Sequence, residues 1–219
     1  MNVLKKLLMA LGVLALIFMV ITVTINILNE KEKEEVLLTV NSAFDALKNY
    51  DMETLGNYMN TDAITKEATD VVKTNGSKDE VTESEKALFK HITYTVTEPE
   101  EVTIFDKEIQ MEVKLSNKNM GEVLVKYFKD ALVYSFSTAF STDTVTQEES
   151  DKKMQELFVE AIDSENISIT ESVVDIKLIK QENGTWKIEF VNEEQFVNAI
   201  LPSFQETLTN YLTENNIID

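Results

Sequence analysis

Residues 173–190, VVDIKLIKQENGTWKIEF, decide the fold. Val174, Ile176 and Leu178 share one face of an extended strand, because side chains alternate across a strand with a period of two. Trp186, Ile188 and Phe190 alternate in the same way after the polar turn. A two-residue Asn-Gly turn would set Leu178 against Glu189 and place the two apolar sets on opposite faces. A three-residue loop, Glu182-Asn183-Gly184 with Gly184 left-handed, pairs Leu178 with Ile188 and Ile176 with Phe190. Only the second register builds a single apolar face, so the spacing predicts a bulged antiparallel hairpin with Trp186 on the face that packs on helices. The edge of its indole lies near the turn, within reach of solvent or a pocket.

Outward from this hairpin the pattern is α+β. Ile92, Tyr94 and Val96 mark one earlier strand and Ile109, Met111, Val113 and Leu115 a longer one, with Pro99 between them. His91 falls on the opposite face of the first. Val36, Leu37, Val40, Phe44 and Leu47 recur at helical spacing over about 34 to 49, and Asp51 caps a short second helix carrying Met52, Leu55, Tyr58 and Met59. Ile64, Ala68, Val71 and Val72 suit a further short helix closed by Asn75-Gly76, and Thr82 with Glu85 forms a capping box before Ala87-Leu88-Phe89. Residues 118 to 140 read as a helix through Met120, Val123, Tyr127, Ala131 and Tyr134. Another, capped by Thr146 and Glu149, buries Met154, Leu157, Phe158, Ala161 and Ile162. Asn192 with Gln195 caps a helix that Pro202 stops, and Ser203 with Glu206 starts the last, whose stripe is Phe204, Leu208, Tyr211 and Leu212.

The N-terminus is of another kind. Lys5 and Lys6 precede a run from Leu7 to Leu28 without a charge. As a helix this run rises about 33 Å, enough to cross a hydrocarbon core of about 30 Å. It is longer than the apolar core of a cleavable signal, and its exit, Thr22-Val23-Thr24-Ile25-Asn26, lacks a small-x-small site. We expect an uncleaved single-pass signal anchor, with the N-terminus cytoplasmic and the C-terminal domain extracytoplasmic at the cell membrane. The expected division is 1–29 for the n-region and transmembrane anchor, 30–35 for a charged neck, and 36–219 for one extracytoplasmic α+β domain.

Charge and composition narrow the chemistry. The formal net charge is −19, every acidic residue lies at or beyond Glu30, and all 20 basic residues are lysine. An acidic exported surface repels nucleic acid, and without arginine the bidentate clamps favoured for phosphate and carboxylate are missing. Cysteine is absent. That removes thiolate catalysis, zinc-thiolate sites and the lipid-bearing cysteine of bacterial lipoproteins. The five glycines form no GxSxG, GxGxxG or phosphate-binding loop, and the acidic runs lack EF-hand spacing. With one histidine, any Ser-His-Asp arrangement would rest on His91 alone.

The segments AFDALKNYDMETLGNYM and LIKQENGTWKIEF, a helix-turn-helix and a closing hairpin, resemble the nuclear-transport-factor-two-like and cystatin-like superfamilies. They look like the small membrane-anchored or lipoprotein ectodomains of Gram-positive bacteria. The resemblance implies a cone-like fold: a helical hairpin packed on a curved antiparallel sheet, here with extra helices inserted over about 118 to 163. It implies a pocket inside the cone, used by some members for catalysis and by many for binding or assembly. Steroid-isomerising members set a carboxylate base against a tyrosine. Tyr94 faces inward, but Asp175 and Glu189 point away from it, so that activity does not carry over.

The reading is a non-catalytic, membrane-anchored binding module of the bacterial envelope. Its candidate ligand pocket is bounded by Trp186, Tyr94, Phe190 and Tyr127. No catalytic residue, metal site or cofactor is expected. The partners are the membrane, through the N-terminal helix, and an envelope protein or small ligand, with no nucleic acid. Two alternatives stand beside it: a structural component of an envelope, secretion or conjugation complex, and a small-molecule enzyme using buried carboxylates.

Overall fold

The computed structural model describes residues 3–60, 83–140 and 145–214. Helix α1 (Val3–Lys48) leads to α2 (Met52–Tyr58), α3 (Glu83–Phe89), β1 (Thr93–Val96), β2 (Glu108–Lys118), α4 (Met120–Ala139), α5 (Gln147–Asp163), β3 (Ile169–Lys180), β4 (Trp186–Phe190), α6 (Glu193–Ile200) and α7 (Phe204–Glu214). The expected helix over residues 64–72, its Gly76 cap, Thr82 and the chain end beyond 214 lie outside the described residues.

The chain is α+β, with an open four-stranded antiparallel sheet in the order β1-β2-β3-β4. Every second residue of β2 from Ile109 to Asn117 is buried while its neighbours are exposed or half-exposed, so one face is core and the other meets water. Helices α1, α2 and α6 cover the core face. The closing hairpin adopts the three-residue loop. Ile176 pairs with Phe190, Leu178 with Ile188 and Lys180 with Trp186, and Gly184 sits at φ 87°. Gln181 N donates to Thr185 O at 2.7 Å, closing the loop on Glu182-Asn183-Gly184.

Most capping expectations hold. Asp51, Thr146 and Asn192 accept from Thr54 N, Glu149 N and Gln195 N, and Thr146 and Glu149 form the reciprocal box. Ser203 differs. It enters α7 at φ 59°, in the left-handed region, instead of the extended backbone that a capping box requires. It follows a tight turn in which Pro202 O accepts from Met120 N at 2.9 Å, so the approach of α4 sets its backbone.

The second difference lies at residues 30–35. The sequence reading starts a helix near residue 34, after a charged neck; α1 runs through EKEKEE without a break. Glu and Lys are strong helix formers, and opposite charges spaced three and four apart support one another along the face. The 46 residues of α1 therefore join the apolar run to the core. From Val13 onward α1 carries a stretch long and apolar enough to cross a membrane, and that stretch is not buried against the rest of the described chain. Val36, Val40, Phe44 and Leu47, further along the same helix, are fully buried.

Candidate functional site

The four residues marked by sequence fall into two places. Trp186, Tyr94 and Phe190 lie on the core face of the sheet. Trp186 is 2% exposed, and its indole Nε1 donates to Oε1 of Glu32 at 2.7 Å. Lys180 pairs with the same carboxylate and lies over the indole, 5.4 Å from its centroid. Phe190 stacks on Phe196 at 3.6 Å, Phe196 meets Phe44 edge-on at 6.3 Å, and Phe44 packs on Tyr94 at 5.4 Å. These rings join Tyr94 to Phe190 through filled space. Tyr127 sits apart on α4, edge-on to Phe158 of α5.

A carboxylate does face Tyr94, from α1 and not from the sheet. The Tyr94 hydroxyl donates to Asp45 Oδ1 at 2.8 Å and lies 3.2 Å from Asn41 O. Burial, and then the bond to Asp45 and its charge, push the phenol up to about 12. The hydroxyl is thus held neutral and committed to a surface carboxylate. His91 precedes β1 instead of lying on it, and its Nε2 stands 2.9 Å from Asp163 Oδ1. Lys90 Nζ straddles the same carboxylate, 2.6 Å from Oδ1 and 2.7 Å from Oδ2. Burial opposes ionisation of Asp163, but hydrogen bonds and charge from Lys90 and His91 together hold its carboxyl below the usual range. Among the described residues no group of three or more His, Asp or Glu is placed to hold a metal.

The open apolar surface lies elsewhere, along α4 and α7. The first turn of α4 is buried: Asn119 caps it by accepting from Glu122 N, and Met120, Gly121, Val123 and Leu124 pack inward. Gly121 permits this approach, because a Cβ there would strike Thr207 Oγ1 and stand 3.0 Å from Ser203 Cβ. Glu122 then ties the helix to the start of β3, accepting from Ser168 N at 2.8 Å and from its hydroxyl at 2.7 Å, which lowers its pKa.

Beyond this base α4 packs on α5 and α7. Phe128 stacks on Tyr211 at 4.1 Å. Val125, Leu132, Val133 and Phe136 remain 61%, 52%, 63% and 64% exposed, and with Phe128 and Tyr211 they wall a groove of about 590 Å³. Lys129 stands on its rim, and a more polar cleft lined by Glu122, Lys126, Asp130 and Glu206 adjoins it. The stripe through Met120, Val123, Tyr127, Ala131 and Tyr134 is the half of α4 that periodicity picks out. The groove is made by the apolar residues left over once that stripe is assigned. Their number was the available signal, since a helix apolar on two sides needs a second cover.

No family model matches the chain, and no curated protein matches it. Among solved structures, a Bacillus subtilis protein described as a lipoprotein, ycdA, overlays with a TM-score of 0.38 at 12% identity, over 72% of this chain and 43% of its own. The chain spans less than half the length of that protein, and so loose a likeness assigns neither fold nor role.

Proposed function

We propose that the chain is a membrane-anchored, extracytoplasmic binding module of the cell envelope that docks an amphipathic helix of a partner protein in the α4–α7 groove, without catalysis of its own. The observation that carries this reading is the exposed stripe Val125, Leu132, Val133 and Phe136. Its spacing of three, four and seven is the ridge that a second helix meets in a helix-in-groove contact. A solvent-facing apolar stripe of this size on a chain of net charge −19 favours a partner with basic flanks. The n-region Lys5 and Lys6 would remain cytoplasmic and the domain from residue 36 would be exported. On this reading the α1–α2 hairpin over the sheet is the nuclear-transport-factor-two-like or cystatin-like core, and α4, α5 and α7 are the added binding layer.

The test is site-specific photocrosslinking of the full-length chain in its own membranes. A photoreactive residue at Leu132 or Phe136 gives a discrete adduct, and one at Thr95, on the solvent face of β1, gives none. Absence of an adduct from both groove positions overturns the docking site. An adduct of twice the chain's mass replaces the binding module with the assembly-component reading.

A further inference from the structure

The turn at residues 102–106, VTIFD, leaves a large ring in the open. Val102 roots it in the core at 4% exposure. Asp106 Oδ2 accepts from Thr103 N at 2.7 Å, Asp106 N donates to Thr103 O at 3.1 Å, and Phe105 N donates to Thr103 Oγ1 at 3.3 Å. These bonds close the turn on Thr103 and Asp106 while Phe105 stays 74% exposed.

Its position is set by the anchor helix. Ile104 N donates to Asn29 Oδ1 at 3.0 Å, and Asn29 directly follows Leu28, the end of the apolar run. On the other side Lys107 O accepts from Lys180 N at 2.9 Å. One turn further toward the apolar run, on the Asn29 face, Ile25 is half-buried while its neighbours are exposed. Glu32 and Lys33 hold the next turn of α1 to Trp186, Lys180 and Glu98. The domain therefore does not swing on a neck, and the 103–106 turn keeps a fixed height about one residue, roughly 1.5 Å, beyond the end of the span.

We infer that Phe105 inserts its ring at the acyl–headgroup boundary of the bilayer that α1 crosses, so that the 103–106 turn is a second, shallow membrane contact fixing the tilt of the domain. An apolar ring held at this depth is covered by lipid, as the aromatic residues of membrane interfaces are. Asp106 and the neighbouring Glu100 and Glu101 favour zwitterionic over anionic headgroups. The inference rests on the membrane-anchored reading, and its test separates the two.

The absence of cysteine allows single labelling sites. Full-length Phe105→Cys, Ile17→Cys and Thr93→Cys chains, each carrying an environment-sensitive NBD group, are placed in phosphatidylcholine vesicles with quencher lipids. Ile17 reports the span; Thr93 pairs with Ser116 at the far end of the sheet and reports water. The label at 105 is expected to emit to the blue of that at 93 and to lose most emission to a quencher near the lipid carbonyl, with less loss to one at mid-chain. The label at 17 is expected to show the reverse order. Exchange for phosphatidylglycerol reduces the loss at 105. If 17 is quenched and 105 behaves like 93, the turn does not touch lipid and the inference fails alone. If 17 is not quenched, the anchored reading fails and takes the inference with it.

Discussion

The indole Nε1 of Trp186 and the carboxylate of Glu32 meet at 2.7 Å across 154 positions of sequence. One partner begins the last strand; the other lies on α1 just past the apolar run. The bond is therefore a joint between the sheet and the helix that carries the apolar run, and Lys180 completes it by pairing with the same carboxylate.

Removing the acceptor tests the joint. In Glu32→Ala the indole N–H loses its partner in a part-buried place, and we expect a loss of about 1–3 kcal/mol with a shift in tryptophan emission. Glu32→Gln keeps an oxygen at that position and loses less. Urea unfolding of the full-length variants, followed by the single tryptophan, measures both; equal stability of wild type and Glu32→Ala would reduce the joint to a passing contact.

Asn117 joins three elements at the opposite end of the sheet. It is 1% exposed, and its Nδ2 donates to Leu88 O at 3.1 Å and Ile200 O at 2.7 Å, linking β2 to α3 and α6. Asn117→Ala orphans two buried carbonyls and is expected to cost about 2–5 kcal/mol. Asn117→Asp is expected to be at least as damaging, since it keeps the shape but replaces both donors with a buried charge. Thermal unfolding ranks the two, and a loss under 1 kcal/mol in the alanine variant would contradict the assignment.

Two glycines are needed for different reasons. At Gly184 nothing lies within 4 Å of an added Cβ, so the roughly 1–2 kcal/mol expected for Gly184→Ala is a pure backbone term from φ 87°, and Gly184→Asn recovers part of it. At Gly121 the backbone is ordinary and the space is missing. Gly121→Ala is expected to lose about 1–3 kcal/mol, to push α7 from α4 and to lower crosslinking from Phe136. Gly184→Ala leaves that crosslinking unchanged.

Tyrosine ionisation sets the alkaline limit. Burial and then the charge of Glu85 raise Tyr50 to about 12, and burial and then Asp45 raise Tyr94 to about 12, from 10.0. A folded value above the unfolded one contributes stability that is complete below pH 10 and is lost as pH rises toward 12. We expect phenolate absorbance to grow late, together with unfolding, and Tyr94→Phe to flatten the alkaline fall. Full tyrosine ionisation near pH 10 in a chain that stays folded would contradict both shifts.

Local signals determined much of this molecule. The period of two located β2, β3 and β4, the period of 3.6 located the helices, and the demand for a single apolar face across the Glu182-Asn183-Gly184 loop selected the hairpin register, since each depends on residues close in sequence. The apolar run to Leu28 was equally legible, because hydropathy needs no partner. Tertiary structure alone decided the rest. Nothing near Glu32 announces an indole, nothing near Tyr94 announces Asp45, and Asn117 reads as one more polar residue at the end of a strand. The groove of α4 and α7 likewise depends on which apolar residues of one helix the other leaves uncovered. Helix periodicity says which side of a helix is apolar, and only packing says how much of that side is already taken.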